Sequence, residues 1–287
     1  MSKVKLVECP RDAMQGIKTY IPLKEKVKYI QSLLGCGFDT IDFGSFVSPK
    51  AIPQMVDTAE VLKALDLSKT TSKLLVIVAN IRGATDASQY KEIDYLGYPF
   101  SISENFQMRN THKTIAQSVE TLKGILDIAN TENKEVVTYI SMGFGNPYGD
   151  PWNVEIVGEW TEKLADMGVR ILSLSDTIGS STQEVIDYLF SNLIPKYPDI
   201  EFGAHLHTTP SKWHEKVEAA YKAGCRRFDG AIQGFGGCPM AKDELTGNMP
   251  TERMLSYFTS QKVDSGVNGM VFEAAYNKAT ELFSVYH

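Results

Sequence analysis

The 287-residue sequence lacks the segments that mark disulfide-rich, secreted and membrane-spanning proteins. Its four cysteines are far apart and form no CxxC pair, so we expect reduced thiols rather than a zinc knuckle or a disulfide framework. No run of about 18 apolar residues occurs. The strand-like run "VKLVE" begins almost at once and leaves no room for a signal or transit peptide. We therefore expect a cytoplasmic protein without a membrane partner.

An excess of positive charge is missing too. The formal net charge is -6, which argues against nucleic acid or an anionic membrane as the main partner. The sequence is 43% hydrophobic and 22% charged, a composition that is typical of a soluble globular protein with a large core. Chemistry on a small molecule is therefore the favoured interpretation.

Short strand-like runs alternate with longer helical ones, with no linker between them. The strand-like runs cover residues 5–8, 38–44, 72–80, 93–101, 135–144, 169–177, 200–208 and 226–232. Apolar spacing and Pro or Gly punctuation predict helices that include 23–35, 53–65, 111–130 and 151–167. Eight such units predict a (β/α)8 TIM barrel, one domain over residues 1–287 with extra C-terminal helices; a doubly wound open sheet is the alternative.

Polar residues collect where the predicted strands end, which is the face of a TIM barrel that carries its chemistry. They are Glu8, Arg11, Asp12, Gln15, Asp42, Ser103, Glu104, Asp176, Thr177, His205, His207 and the segment 234–248. His205 and His207 are two residues apart on a strand, so their rings point the same way. With Asp12 they form a nitrogen and oxygen donor set that suits Mg²⁺ or Mn²⁺.

Each of these residues also has a structural interpretation. The histidines could be hydrogen-bonded polar residues at a sheet end, and Asp12 could cap a turn or pair with Arg11. Asp42 and Asp176 could be helix caps. Cys238 could be a small apolar filler, although a thiol in the glycine-rich run "GFGGCP" is more accessible than a core thiol, which favours a functional role.

Six motifs occur in a fixed order across nearly the whole chain: "PRDAMQ", "SFVSPKAIPQM", "SISENF", "LSDTIG", "HLH" and "GFGGCP". Together they resemble the 3-hydroxy-3-methylglutaryl-CoA lyase family of DRE-TIM metallolyases. The resemblance implies Mg²⁺ or Mn²⁺ held by Asp12, His205, His207 and Asn248. It also implies that Arg11 and Cys238 are catalytic, with His205 or an acidic neighbour, Asp42 or Glu8, as the base.

The implied reaction cleaves 3-hydroxy-3-methylglutaryl-CoA to acetyl-CoA and acetoacetate, as in leucine degradation and ketone-body chemistry. The resemblance also implies an acyl-CoA substrate and a homodimer. Two alternatives stay open: a related aldolase or Claisen-type synthase acting on a 2-oxo acid, and a catalytically silent barrel that binds an acyl-CoA. Ala13 and Asp42 stand where the family has glycine and glutamate.

Overall fold

Eight parallel strands close into a barrel in the computed structural model, which describes residues 3–237 and 246–286. The strands are β1 (Lys5–Glu8), β2 (Thr40–Ser45), β3 (Lys73–Ile77), β4 (Tyr95–Ser101), β5 (Glu135–Ser141), β6 (Ile171–Asp176), β7 (Glu201–Leu206) and β8 (Arg227–Gly230). Each overlaps one predicted strand. β1 pairs with β2 on one side and with β8 on the other, which confirms the (β/α)8 barrel over the open sheet.

Helices cover the outside of the barrel. Among the described residues they are α1 (Pro10–Gln15), α2 (Leu23–Leu34), α3 (Thr58–Ala64), α4 (Ile81–Ser88), α5 (Glu104–Thr111), α6 (Ile115–Thr131), α7 (Val154–Asp166), α8 (Gln183–Lys196), α9 (Trp213–Lys222), α10 (Thr251–Ser260) and α11 (Gly269–Tyr286). None of these helices combines the length and apolarity that crossing a bilayer requires.

Two predicted helices were wrong in their extent. The helix expected over 111–130 begins only at Ile115, because His112 adopts a left-handed backbone conformation that ends the preceding helix, α5, at Thr111. Thr114 then starts α6 with a capping box that it forms with Gln117. The helix expected over 53–65 begins as a 3₁₀ turn at Pro53–Met55, and α3 starts only at Thr58.

The core has two layers because side chains of a strand alternate between its faces. One layer packs between the sheet and the helices, with members such as Leu6, Ile41 and Leu206. The other fills the barrel interior and consists of Leu75, Ile77, Tyr95, Val137, Tyr139 and Ile171. The inward-facing positions therefore lead from this apolar layer up to the polar residues at the carboxyl end of the barrel.

The last helix, α11, supports the carboxyl end of the barrel from outside. Phe283 on α11 lies edge-on to Tyr29 of α2, with ring centroids 5.7 Å apart. It also stacks on Phe235 at 4.2 Å, in the segment that follows β8. α11 thus connects α2 to one of the segments that border the barrel mouth.

Candidate active site

His205 and His207 converge with Asp12 at the carboxyl end of the barrel. His205 lies on β7, His207 directly follows β7, and Asp12 lies in the first turn of α1. One ligand atom from each of the three residues lies within 4.8 Å of the others. The strand spacing therefore brings both imidazoles to one point, and the β1–α1 connection brings the carboxylate to meet them.

The donor chemistry of this cluster fits a divalent cation. Both ring nitrogens of His207 are buried without a hydrogen bond of normal geometry. Burial, and then the proximity of His205, lowers the pKa of His207 to about 4, so its imidazole is neutral. Burial would raise the pKa of Asp12, but Arg11 and the two histidines together lower it. An ionised carboxylate and a neutral imidazole are the forms that bind metal.

Asn248 completes the set of predicted ligands. Its segment is fastened to the end of β7 by two backbone hydrogen bonds between Thr208 and Gly247, of 2.9 and 3.0 Å. The Asn248 side chain donates to the Phe235 carbonyl at 2.8 Å and also hydrogen-bonds Asp12. The structure therefore brings all four predicted metal ligands together.

Glycine allows the segment after β8 to pack against α1. Gly234, Gly236 and Gly237 all have positive φ angles, as the glycine-rich sequence predicts. A Cβ on Gly236 would lie 2.5 Å from the carbonyl oxygen of Asp12. This close approach explains how the segment before Cys238 reaches the cluster. Cys238 itself lies outside the described residues.

Arg11 is fixed beside the cluster by acidic and amide side chains. Its Nε lies 3.2 and 3.1 Å from the two carboxylate oxygens of Asp42, and its Nη2 also donates to Asp42. Its Nη1 lies 3.1 Å from Asp12 and 2.9 Å from Gln15. Burial raises the pKa of Asp42 to about 6 although Arg11 opposes that shift. Asp42 thus pairs with Arg11 instead of capping a helix.

Glu8 makes its contacts away from this cluster. Its carboxyl group accepts hydrogen bonds from the Ile232 amide at 2.9 Å and from the Thr251 hydroxyl at 2.6 Å. Burial raises the pKa of Glu8 to about 8. These contacts join the end of β1 to the segment after β8 and to α10, and the catalytic role predicted for Glu8 stays a prediction.

Other strand-end residues are engaged structurally. Asp176 accepts from the buried Lys216 ammonium at 2.6 Å, and Thr182 instead caps α8. Ser103 caps α5 by accepting from the Phe106 amide at 3.1 Å.

One carboxylate beside the cluster was missed by the sequence analysis. Asp229 on β8 lies 3.1 Å from Nδ1 of His205. The only signal for it is the alternation of β8, which places Asp229 on the inward face two residues after Arg227.

A closed (β/α)8 barrel with a carboxylate and two histidines clustered at its carboxyl end is the arrangement of TIM-barrel metalloenzymes. Within that class the chain belongs to the HMGL-like family, whose model matches residues 3–277. This match confirms the resemblance that the six motifs indicate. The family is one of divalent-metal-dependent lyases.

Relatives of known name agree with this assignment. The mitochondrial hydroxymethylglutaryl-CoA lyase of Rattus norvegicus is 32% identical over 93% of this chain and 81% of its own length. A lyase of Pseudomonas aeruginosa named for 3-hydroxy-3-isohexenylglutaryl-CoA and hydroxymethylglutaryl-CoA is 32% identical over 93% of this chain and 88% of its own length.

Solved structures match the barrel over nearly its whole length. The HMG-CoA lyase of Brucella melitensis superposes with a TM-score of 0.90 at 28% identity, covering 98% of this chain and 99% of that one. The HMG-CoA lyase of Acinetobacter baumannii, solved with coenzyme A and 3-methylmalate, gives 0.90 at 26% identity, covering 98% and 92%. The carboxyl transferase domain of Rhizobium etli pyruvate carboxylase, at 15% identity and a TM-score of 0.75, shares the fold.

Proposed function

We propose that this protein is a divalent-metal-dependent lyase that cleaves 3-hydroxy-3-methylglutaryl-CoA to acetyl-CoA and acetoacetate. The observation that carries the proposal is the fixed guanidinium of Arg11 directly beside the Asp12, His205 and His207 cluster. The names of the relatives support the same substrate.

The cation would be held by Asp12, His205, His207 and Asn248. These residues offer nitrogen and oxygen donors and no thiolate, which favours Mg²⁺ or Mn²⁺ over zinc. When bound, such a cation supplies Lewis-acid stabilisation of negative charge on substrate oxygens.

Cleavage of the C2–C3 bond requires removal of the proton from the C3 hydroxyl group. Among the predicted bases, Asp42 has a pKa of about 6, close to the working range of a general base. His205 already contacts Asp229 through Nδ1 and faces the cluster through Nε2. Asp42 is therefore the base in this proposal, and His205 is a ligand.

The acetyl-CoA half leaves as an enolate, and Arg11 stabilises its oxyanion. Burial works against the charge of Arg11, but Asp42 and Asp12 raise its pKa above the ordinary value, so the guanidinium stays charged. Because Asp12 and Gln15 still hold Arg11 in place once Asp42 has taken up the proton, the guanidinium does not need to reorganise as negative charge develops. The enolate carbon then takes a proton, for which Cys238 is the proposed donor on the grounds of sequence alone.

The test is product analysis. Purified protein with Mg²⁺ and 3-hydroxy-3-methylglutaryl-CoA should form acetoacetate and acetyl-CoA in equal amounts. Release of neither product by folded, metal-binding protein would overturn the proposal. Binding of the thioester without turnover would then identify the silent barrel, and condensation of acetyl-CoA with a 2-oxo acid would identify the synthase.

A cytoplasmic homodimer is part of the same proposal, supported by the family resemblance. Sedimentation equilibrium of the purified chain tests the oligomeric state, and cell fractionation tests the location.

A further inference from the structure

A buried lysine lies behind the carboxyl end of β7. Lys216 on α9 is fully buried, with 0% of its surface exposed. A lysine ammonium group has three hydrogens to donate and no acceptor. Its Nζ donates to the carboxylate of Asp176 at 2.6 Å, to the His207 carbonyl oxygen at 2.8 Å and to the Gly179 carbonyl oxygen at 3.1 Å. These three oxygens match the three hydrogens of the ammonium group.

Two of the three oxygens belong to the connection between β6 and α8. Asp176 ends β6 and also accepts from the backbone amide of Ser181 at 3.1 Å and from its hydroxyl group. Gly179 lies between these two residues and has a positive φ angle. The connection therefore folds around the carboxylate of Asp176, and the ammonium group of Lys216 is held to it at two points.

The third oxygen belongs to the peptide group that joins His207 to Thr208. A trans peptide group is planar, so its C=O and N–H point in opposite directions and cannot turn independently. Here the C=O accepts from Lys216, and the N–H of Thr208 donates to the Gly247 carbonyl oxygen at 2.9 Å. Gly247 donates back to the Thr208 carbonyl oxygen at 3.0 Å and directly precedes Asn248. This one peptide plane therefore connects two of the proposed ligands, His207 and Asn248.

We propose that Lys216 is a positioning residue of the cation site, which fixes the peptide group after His207 from outside the barrel. Both ring nitrogens of His207 are buried without a hydrogen bond of normal geometry, so the place of the ring depends heavily on its backbone. Through the same peptide plane, Lys216 also sets where the segment with Asn248 is fastened. Groups that hold metal ligands in place increase the metal affinity without touching the metal. The inference rests on the cation site proposed above.

The competing interpretation is that Lys216 only neutralises the buried carboxylate of Asp176. Lys216→Met removes the ammonium group and leaves that carboxylate without its cation, so a lower metal affinity could have either cause. The double variant Lys216→Met/Asp176→Asn separates the two causes. It leaves no unpaired charge of the ion pair, but the His207 carbonyl group still lacks its donor.

Lys26 on α2 provides a matched control. It is also buried, with 1% of its surface exposed. It also joins a carbonyl oxygen, that of Gln54, to a carboxylate, that of Asp57, which lies 2.7 Å from its Nζ. Neither partner belongs to the proposed ligand set. Lys26→Met should therefore lower the free energy of unfolding, as Lys216→Met does, and should keep the metal affinity. Denaturant unfolding measures the stability of each variant.

Calorimetric titration with Mn²⁺ is the first measurement. Lys216→Met should weaken binding by at least about 10-fold, because a ligand loses the group that holds it. The double variant should recover part of the lost stability, since its charges balance, and should still bind at least about 10-fold more weakly than the wild type. Lys26→Met should stay within about threefold of the wild type.

Full recovery of the affinity in the double variant would overturn the proposal, because the effect would then come from the unpaired carboxylate. Equal weakening by Lys26→Met would overturn it too, because the effect would then follow stability alone. If Lys216→Met does not fold, the double variant decides the question against Lys26→Met.

The second measurement needs no metal. Amide hydrogen exchange followed by NMR reports the protection of the Thr208 and Gly247 N–H groups, whose hydrogen bonds depend on the same peptide plane. In the double variant their exchange should accelerate at least about 10-fold more than that of the amides of β3, on the opposite side of the barrel. In Lys26→Met the two groups of amides should change together.

The two measurements separate this inference from the proposed function. If the wild type bound no Mn²⁺, the cation site would fail, and the exchange rates would still decide whether Lys216 fixes the end of β7. Exchange at Thr208 and Gly247 that changes only as much as exchange in β3 would overturn that role.

Discussion

Among single residues, Arg11 has the most tightly fixed environment in the candidate site. Its planar guanidinium bonds Asp42 through two nitrogens and Asp12 and Gln15 through the third. Lysine would keep the charge but lose this fork. Arg11→Lys should therefore lower kcat by about 100-fold or more, with a much smaller change in KM.

Steady-state kinetics of acetoacetate formation check this expectation. The matched control is Arg109→Lys, at an exposed arginine that lies over the ring of Tyr148 and should keep the wild-type kcat. A kcat near the wild-type value in Arg11→Lys would remove Arg11 from the mechanism.

Both ring nitrogens of His207 are buried without a normal hydrogen bond, so a cation is the partner that we expect for this side chain. His207→Ala should weaken Mn²⁺ binding by at least about 100-fold, because it removes a ligand rather than a residue behind one. The fold should persist, since His207 lies beyond the end of β7. Calorimetry compares it with His214→Ala, at an exposed position on α9, and equal affinities would refute the site.

The thiols differ in their expected reactivity. Cys9, Cys36 and Cys225 are buried. Burial raises the pKa of Cys36 and of Cys225 to about 12 and that of Cys9 well above its ordinary value, so they supply little thiolate. Iodoacetamide should therefore inactivate the protein through Cys238, and a substrate analogue with Mg²⁺ should slow the reaction.

Peptide mapping by mass spectrometry identifies the labelled residue. Cys238→Ser should escape labelling and should lose on the order of 10²-fold in kcat, the scale of a lost general acid. Labelling that falls first on another cysteine, or that ignores the analogue, would assign proton delivery to another group.

Glu8 links two secondary-structure elements, and the stability that it contributes depends on pH. Its carboxyl group joins β1 to Thr251 at the start of α10, and burial raises its pKa from 4.5 to about 8. The folded state thus favours the protonated form. The stability that Glu8 contributes is complete below pH 4.5 and is lost as the pH rises towards 8.

Denaturant unfolding between pH 5 and 8 measures this effect. The wild type should lose stability as the pH rises, because folding disfavours the ionised form of Glu8. Glu8→Gln cannot ionise, so its free energy of unfolding relative to that of the wild type should increase with pH. Glu273→Gln, at an exposed position on α11, should follow the wild-type curve. A constant difference between Glu8→Gln and the wild type would show that Glu8 does not titrate in this range.

The elements also show what a sequence can reveal. All eight strands were predictable, because buried parallel strands are short apolar runs between turn residues. Helix α1 was missed because six residues are too few for a helical period, and the break at His112 depends on one backbone angle.

The candidate site, too, has residues that could be predicted from the sequence and residues that could not. The histidine pair and Asp12 were predictable because each lies in a local motif at a strand end. The partners Asp229 and Lys216 were not, because strand register and helix packing bring them to His205 and Asp176 from other parts of the chain.

For the molecule as a whole, α11 is the outer support of the mouth. Phe283 is 1% exposed and packs against Tyr29 and Phe235. Phe283→Ala should lower the free energy of unfolding by about 3–5 kcal/mol, the cost of a large cavity in a core. Urea unfolding measures it against Val285→Ala, at a position that is 68% exposed and should change stability by less than about 0.5 kcal/mol. Similar small losses in both variants would show that α11 is not an integral part of the fold.

Because the sheet closes between β1 and β8, it stays open during most of the synthesis of the chain. Glu8 and its partner Thr251 are 243 positions apart, and β1 lacks its second neighbouring strand until β8 has been synthesised. At about 5–20 residues per second, translation of that interval takes on the order of 10–50 s. Until then the nascent chain carries a growing sheet with two open edges, which are templates for pairing with other chains. The finished barrel has no such edge, so exposure to aggregation is concentrated in the time the chain spends on the ribosome.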